Sequence, residues 1–402
     1  MRDCPRVAFM TDSYNEVNGV ALTSRRFVSY AAERGLPFMC VRAGERTTVM
    51  DEGPALSGVE LRRGPISFSI DRRQRHDLAL WRYRDFLIKT FQSFKPDLIH
   101  ITGPSDVGQL GALVAHLMRL PLVASWHTDL HKFAAQRLGK AVSFLPLGPH
   151  AALGRLTEQS CLKALVRFYK IPRVLLAPNE ELIAMLRSRT QKPVFLMQRG
   201  VDTNLFSPAK RNRDWSEFTI GYAGRVTPEK NVRFLVDIER ALISQGKSNY
   251  RFLIVGDGYD RPWLERHLSS KAHFTGMITG EELAQAYANM DLFVFPSHTD
   301  TFGNVVLEAL ASGVPAVVTA DGGPKFLVKP GVTGAVAGDD NDFIDSVISL
   351  MGGGDLHRAM KDQARRHAQL NCWDKVFDAV YRAYNECLTG NSMTEFASAY
   401  AR

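Results

Sequence analysis

The stretch Asp300-Thr301-Phe302-Gly303-Asn304-Val305-Val306-Leu307-Glu308-Ala309-Leu310 sets two carboxylates eight positions apart. Ala-Ser-Gly-Val-Pro and then Gly322-Gly323-Pro324 follow it. The first carboxylate stands in a polar turn. The second stands inside an apolar run with helical spacing, and the Phe-Gly-Asn step between them opens that helix. An acid at a helix mouth and another two turns further in can grip two ends of one polyhydroxylated ligand. The free N–H groups of the first helical turn can hold a phosphate between them. Val305, Val306, Leu307, Ala309 and Leu310 surround Glu308 with apolar character, which argues for a buried helix, and a lone carboxylate there is costly without partners. The structural alternatives are a helix cap for Asp300 and an exposed helix position for Glu308.

On either side, short apolar runs alternate with helical patterns. Before it, strands are expected at Thr219–Ala223, Arg251–Val255, His273–Phe274 and Leu292–Phe295, and after it at Ala316–Thr319. Helices are expected at Val232–Gln245, Tyr259–Leu268, Glu281–Asn289, Val305–Ser312 and Asp342–Met351. The first half repeats the alternation. Its strands are Arg6–Thr11, Pro37–Arg42, Gly58–Leu61, Leu98–Thr102, Leu122–Trp126, Leu175–Pro178 and Val194–Met197, with helices such as Ala21–Arg34, Leu78–Phe94 and Gln109–Met118. Strand–helix alternation implies parallel sheets wrapped by helices. Gln198-Arg199-Gly200-Val201-Asp202-Thr203-Asn204-Leu205-Phe206-Ser207-Pro208 reads as a linker between the halves. The fold class is therefore α/β, with two Rossmann-like, doubly wound domains in tandem. Ligands of such sheets bind outside the carboxyl ends of the strands, so two facing ends predict a two-substrate cleft.

At 402 residues the chain exceeds one ordinary core, and two domains of roughly 200 residues are the natural division. No apolar run approaches the ~20 residues that a membrane span requires, and the start runs straight into a strand rather than a leader, so cytoplasmic residence is the expectation. Cys4, Cys40, Cys161, Cys372 and Cys387 are scattered, which suggests neither a disulfide framework nor a zinc site. Net charge is +8, and Arg62, Arg63, Arg72, Arg73, Arg75, Arg82 and Arg84 cluster. That cluster is either a solvated surface or an attraction to an anionic membrane face or acceptor. Zinc-finger spacings and aromatic RNA-binding strands are missing from the sequence, so nucleic acid is not an expected partner.

Other segments carry candidate chemistry. Gly224-Arg225-Val226-Thr227-Pro228-Glu229-Lys230 follows a strand, and Thr227-Pro228 is a helix-start pair. Cations are disfavoured at a helix N-terminus, so Lys230 there implies an anion to offset it. Asp12 to Val20 forms a loop after the first strand, and Gly19 lets backbone approach a phosphate closely. It lacks the Gly-x-Gly-x-x-Gly fingerprint of a nicotinamide dehydrogenase, and a plain turn is the alternative. Ser125-Trp126-His127-Thr128-Asp129 ends another strand. His100 reads as architectural and His298 as a satisfied loop histidine. Val255-Gly256-Asp257-Gly258 reads as a tight turn. Asp340-Asn341-Asp342 has the form of a manganese motif but precedes a helix and reads as a cap. With Arg225 and Lys230 available, no metal and no other cofactor is expected.

The acid–seven residues–Glu pattern of Asp300 to Glu308 resembles the signature of retaining glycosyltransferase family 4, which has the GT-B fold. The usual first acid is Glu, and Asp300 shortens its reach by one methylene. The same departure occurs in a branch resembling GDP-mannose-dependent α-mannosyltransferases and lipid glycosyltransferases. The resemblance implies an N-terminal acceptor-side domain over residues 1–200, a nucleotide-sugar domain over 201–375, and a C-terminal helix, about 376–390, that crosses back. It implies that Arg225 and Lys230 neutralise the donor diphosphate and that Asp300 binds donor hydroxyls. It assigns sugar or diphosphate oxygens to the backbone of Phe302, Gly303 and Asn304, and the ribose hydroxyls to Glu308. Gly19 would cover the phosphates, Gly256 and Met277 would lie at the nucleotide edge, and His127 would contact the transferred sugar. The implied partners are a nucleotide sugar, with GDP-mannose favoured and UDP-glucose or another UDP-sugar the alternative, and a lipid or glycan acceptor at the inner membrane face. A sugar-nucleotide epimerase and a non-catalytic sugar-nucleotide-binding protein remain rival readings.

Overall fold

The computed structural model describes residues 4–16, 19–64, 67–71, 74–77, 79–126, 150–300, 302–352 and 354–389. Its contacts divide the chain into two compact units, Met1–Gln198 with Val376–Arg402, and Arg199–Lys375.

In the first unit β1 (Val7–Thr11), α1 (Gly19–Glu33), β2 (Phe38–Gly44), β3 (Thr48–Gly53) and β4 (Leu56–Arg62) lead to a hairpin of β5 (Ser67–Asp71) and β6 (Gln74–Asp77). Then come α2 (Arg84–Phe94), β7 (Leu98–Ile101), α3 (Asp106–Met118), β8 (Leu122–Ser125), α4 (His150–Tyr169), β9 (Val174–Ala177), α5 (Glu180–Thr190) and β10 (Val194–Leu196). The main sheet runs β10-β9-β8-β7-β1-β2-β4-β3. Every pairing in it is parallel except β3 on β4. Central strands such as Val-Ala-Phe-Met-Thr are buried throughout, the composition of a strand covered on both faces.

In the second unit β11 (Phe218–Ala223), α6 (Phe234–Ser244), β12 (Tyr250–Val255), α7 (Arg261–His267), β13 (Ala272–Gly276), α8 (Gly280–Ala288) and β14 (Leu292–Phe295) come first. They precede α9 (Asn304–Ala311), β15 (Ala316–Thr319), β16 (Gly334–Ala337), α10 (Asp340–Leu350) and α11 (Gly354–Leu370). This sheet is parallel in the order β13-β12-β11-β14-β15-β16. Strand order reverses between β11 and β14.

The last described helix, α12 (Trp373–Thr389), belongs to the first unit from Val376 onward. Phe377 stacks on Phe27 with centroids 4.4 Å apart. The Tyr384 hydroxyl lies 2.6 Å from His100 Nδ1, and His100 Nε2 lies 2.6 Å from Ser125 Oγ. His100 is fully buried, so it joins α12 to β7 and β8 as a structural strap. Each such buried aromatic contributes about 1.5–3 kcal/mol of apolar burial.

The helices expected at Leu78–Phe94, Val232–Gln245 and Tyr259–Leu268 begin later than the pattern suggests. Residues 80–83 form a 3-10 turn, and α2 starts at Arg84. Pro228–Lys230 is also a 3-10 turn, ended by Asn231 in the left-handed region (φ 52°), and α6 starts at Phe234. Lys230 therefore stands in an isolated turn and not in the first turn of α6. Strands β3 and β16, the β5–β6 hairpin and helix α11 lie outside the expected elements.

Candidate active site

Ligands of doubly wound sheets bind at the carboxyl ends of the strands where the order reverses, which in the second unit means the loops after β11 and β14. These loops are tied together. Thr299 Oγ1 donates to the Glu229 carbonyl at 3.0 Å, and Lys230 Nζ donates to Asp300 Oδ2 at 2.5 Å. The two side chains are 13% and 23% exposed, so the pair is poorly hydrated yet open to solvent. The Lys230 ammonium also lies 5.7 Å from the Phe295 ring centroid. The loop after β15 closes the arrangement, with Gly323 N donating to Asp300 O at 2.8 Å. Gly322 has φ +71°, and a Cβ there would stand 2.5 Å from Asp300 O. Only glycine allows that approach. Gly303, at φ +88°, turns the chain into α9.

Asp300 does not cap α9. Its Oδ1 accepts from Phe302 N at 3.4 Å, and the cap position belongs to Gly303. Asn304 Oδ1 in the first turn of α9 and Ser297 Oγ after β14 are buried and without a partner among the described residues. Buried polar atoms of that kind are exceptions that call for a ligand, water or ion.

Arg225 is 68% exposed and pairs with Glu229, 44% exposed, at 2.9 Å. Partial burial pushes the Glu229 carboxyl up. Backbone hydrogen bonding, with the charges of Arg225 and Lys230, outweighs that and holds it below the usual range. Glu308 sits further along α9. The Tyr287 hydroxyl, from α8, donates to its Oε2 at 2.8 Å, while Oε1 accepts no hydrogen bond among the described residues. Burial pushes the Glu308 carboxyl up, with the Tyr287 bond working against it. Tyr287 itself is fully buried against Phe206 and Phe293.

The expected residues thus fall into groups. Lys230 and Asp300 touch, Arg225 joins them through the Glu229 turn, and Phe302, Gly303 and Asn304 continue the Asp300 loop. Glu308 bonds to Tyr287 instead of to any of these. Gly256 N donates to Gly276 O at 2.9 Å, tying the loops after β12 and β13, and Met277 beside it is 80% exposed. Gly19 is the first residue of α1 in the other unit. His127, Thr128 and Asp129 lie outside the described residues, as does Thr301. His298 Nδ1 lies 2.9 Å from Asp321 Oδ2. In the Asp340-Asn341-Asp342 segment the cap is one residue upstream, since Asp339 Oδ1 accepts from Asp342 N at 2.9 Å. Among the described residues no group of three or more His, Cys, Asp or Glu side chains is placed to hold a metal. Tyr287 and Arg199 escaped the sequence reading. Each is a polar residue inside an apolar or linker-like run, which was their only signal.

The basic cluster of the first unit is partly structural. Arg63 pairs with Asp106 at 3.2 Å, and Arg82 pairs with the buried Asp77 at 2.8 Å. Arg84 pairs with the exposed Asp85, and Trp81 beside it is exposed. Arg72 and Arg73 lie outside the described residues.

Tandem α/β units of this build, with a cation–carboxylate pair at the switch point of the second, mark the GT-B class of glycosyltransferases. The family model described as Glycosyltransferase Family 4 matches residues 17–205, and that described as Glycosyl transferases group 1 matches residues 217–353. A GDP-mannose-dependent alpha-mannosyltransferase from Mycobacterium tuberculosis is 30% identical, covering 98% of this chain and 99% of that one. Another of that name from Corynebacterium glutamicum is 28% identical over 94% and 86%. The solved sucrose-phosphate synthase from Thermosynechococcus elongatus shares the fold, with a TM-score of 0.69 at 20% identity over 96% and 99% of the two chains. The chain belongs to glycosyltransferase family 4.

Proposed function

We propose that the protein transfers mannose from GDP-mannose, with retention, to a hydroxyl of a lipid or glycan acceptor. The observation that carries the reading is the Lys230–Asp300 contact at the switch point of the second sheet. In this reading the cation serves the leaving diphosphate and the acid serves the hexose hydroxyls. In this mechanism the bond from the anomeric carbon to the diphosphate oxygen breaks, the acceptor oxygen attacks the same face, and its proton passes to the departing diphosphate. Arg225 and Lys230 stabilise the charge that develops there, so the reaction is proposed to need no metal. His127 is assigned to the transferred sugar, and Glu308 to the ribose. The names of the two mannosyltransferase relatives support the choice of donor.

A thermal-shift panel tests the donor. A ligand at 100 times its Kd adds about 2.7 kcal/mol, and GDP-mannose and GDP are expected to raise Tm by several degrees while UDP-glucose does not. The reverse order would move the assignment to a UDP-sugar. Product formation without acceptor would make the protein an epimerase, and binding without any turnover would make it a sensor.

The acceptor side is proposed to meet an anionic membrane through the exposed Arg62, Trp81 and Arg84. No described helix is long and apolar enough to cross a membrane. Each cation near such a surface is worth about 1 kcal/mol. Reversing both arginines to Glu should therefore lower co-sedimentation with phosphatidylserine vesicles by more than about tenfold at low salt. Wild-type protein that ignores such vesicles at every salt concentration dismisses this part.

A further inference from the structure

Arg199 opens the second unit in a segment that the sequence presents as a linker. The segment is anchored, because Val201 N donates to Asn371 O at 3.1 Å in a bridge to the residues before α12. The Arg199 guanidinium carbon lies 5.7 Å from the Phe302 ring centroid. Burial depresses its pKa, and the nearby Asp300 charge works in the other direction. Asp300 is close enough to be felt, yet its Oδ2 is already held by Lys230. Among the described residues the Arg199 guanidinium makes no hydrogen bond and no ion pair.

The charges at this end of the sheet then differ in kind. Lys230 has Asp300 and Arg225 has Glu229. Arg199 has a flat aromatic face and a carboxylate engaged elsewhere. The Arg199 side chain is half-buried, and a partly dehydrated cation without a bonded counter-charge is costly. Such a cost is tolerated where an anionic ligand later matches it. Neutral sugar hydroxyls could accept from the guanidinium but would not balance its charge, whereas a phosphate does both and suits its planar fork.

We propose that Arg199 binds the diphosphate of the nucleotide sugar at the phosphate bonded to the hexose. It faces the Phe302 ring, next to the Asp300 end of the motif that this reading gives to the hexose, and Glu308 lies just over one turn into α9. When the glycosidic bond breaks, its electron pair goes to an oxygen of that phosphate, and Arg199 is a third cation facing the charge. The inference rests on the nucleotide-sugar reading but not on which base the donor carries.

The test is calorimetric titration of GDP, UDP, GMP and UMP into wild type, Arg199→Met, Arg199→Gln and Arg199→Lys, each checked by thermal melting. Methionine and glutamine remove the charge with different shapes, so one neutral variant suffices if the other misfolds. The neutral variants should bind the preferred diphosphate at least about tenfold more weakly, the value of one charge-assisted hydrogen bond. Lysine should recover much of that loss, and monophosphate binding should change less than about twofold. Diphosphate binding within twofold of wild type in the neutral variants overturns the assignment, as does an equal loss on monophosphates. A wild type that binds UDP and not GDP overturns the GDP-mannose reading alone, with Arg199 then judged on UDP. A wild type that binds neither overturns both.

Discussion

Glu308→Gln is expected to lose donor affinity without losing stability. A carboxylate can accept from both hydroxyls of a ribose, and hydrogen bonds to a charged group are worth about 1.5–3 kcal/mol each. Glutamine keeps one acceptor and loses the charge, so GDP-mannose and GDP should bind roughly 10- to 100-fold more weakly. The stability argument runs the other way. Burial raises the Glu308 carboxyl above its usual value, so its charged form is disfavoured in the folded protein. Its contribution is therefore fully favourable only below the unfolded pKa and is lost as pH rises through the raised folded value. At neutral pH the wild type carries that penalty, and Gln removes it while still accepting the Tyr287 hydroxyl, now 2.8 Å from Oε2. Melting temperature at neutral pH should hold or rise, and the two proteins should converge on acidification. Glu308→Ala is different, because it leaves the buried Tyr287 hydroxyl unpaired at a cost of about 1–3 kcal/mol. A glutamine variant that binds GDP like wild type would remove Glu308 from the site. One that melts well below wild type would make its role structural.

Residues that carry both local pattern and chemistry were legible in the sequence. Buried parallel strands such as Leu-Phe-Val-Phe at β14 show as short apolar runs rich in β-branched and aromatic residues, and the Asp300 to Glu308 spacing singles out α9 among the helices. What stayed hidden depends on long-range contacts. Helix α11 buries His357, Met360, Ala364 and Ala368. This stripe is helical in spacing but too small and polar to show as hydrophobic periodicity. Strand β3 carries Asp51 and Glu52 at a half-exposed edge, where alternation is weak. The turn around Lys230 looks like a helix start from Thr227-Pro228, but Thr227 makes no capping bond and Asn231 turns left-handed. Arg199 was invisible as a candidate because the Phe302 ring it faces is about a hundred positions away in sequence. Tyr287 gains its role only when α8 is laid beside α9.

Lys230→Met is expected to give the largest kinetic loss. A fixed donor facing charge that develops in the transition state is worth about 10²–10³ in kcat. Lys230 is fixed, with its ammonium 2.5 Å from Asp300 Oδ2 and its side chain only 13% exposed. The same substitution leaves Asp300 without its cation. That carboxylate is 23% exposed, so the stability cost falls between that of a surface pair and a buried one, about 1–3 kcal/mol. The two effects separate in the double variant Lys230→Met with Asp300→Asn. Neutralising the stranded acid should return most of the melting temperature, because the folding penalty comes from the unpaired charge. It should not return turnover, because on the proposed assignment the leaving group would still lack its cation and the hexose would have lost its acid. The two residues touch, so their effects on stability should be strongly non-additive. Single-turnover rates and melting curves on the four proteins of the cycle measure both. Turnover within a few-fold of wild type in Lys230→Met, or its recovery in the double variant, would reduce the pair to a structural clamp and take the chemistry elsewhere.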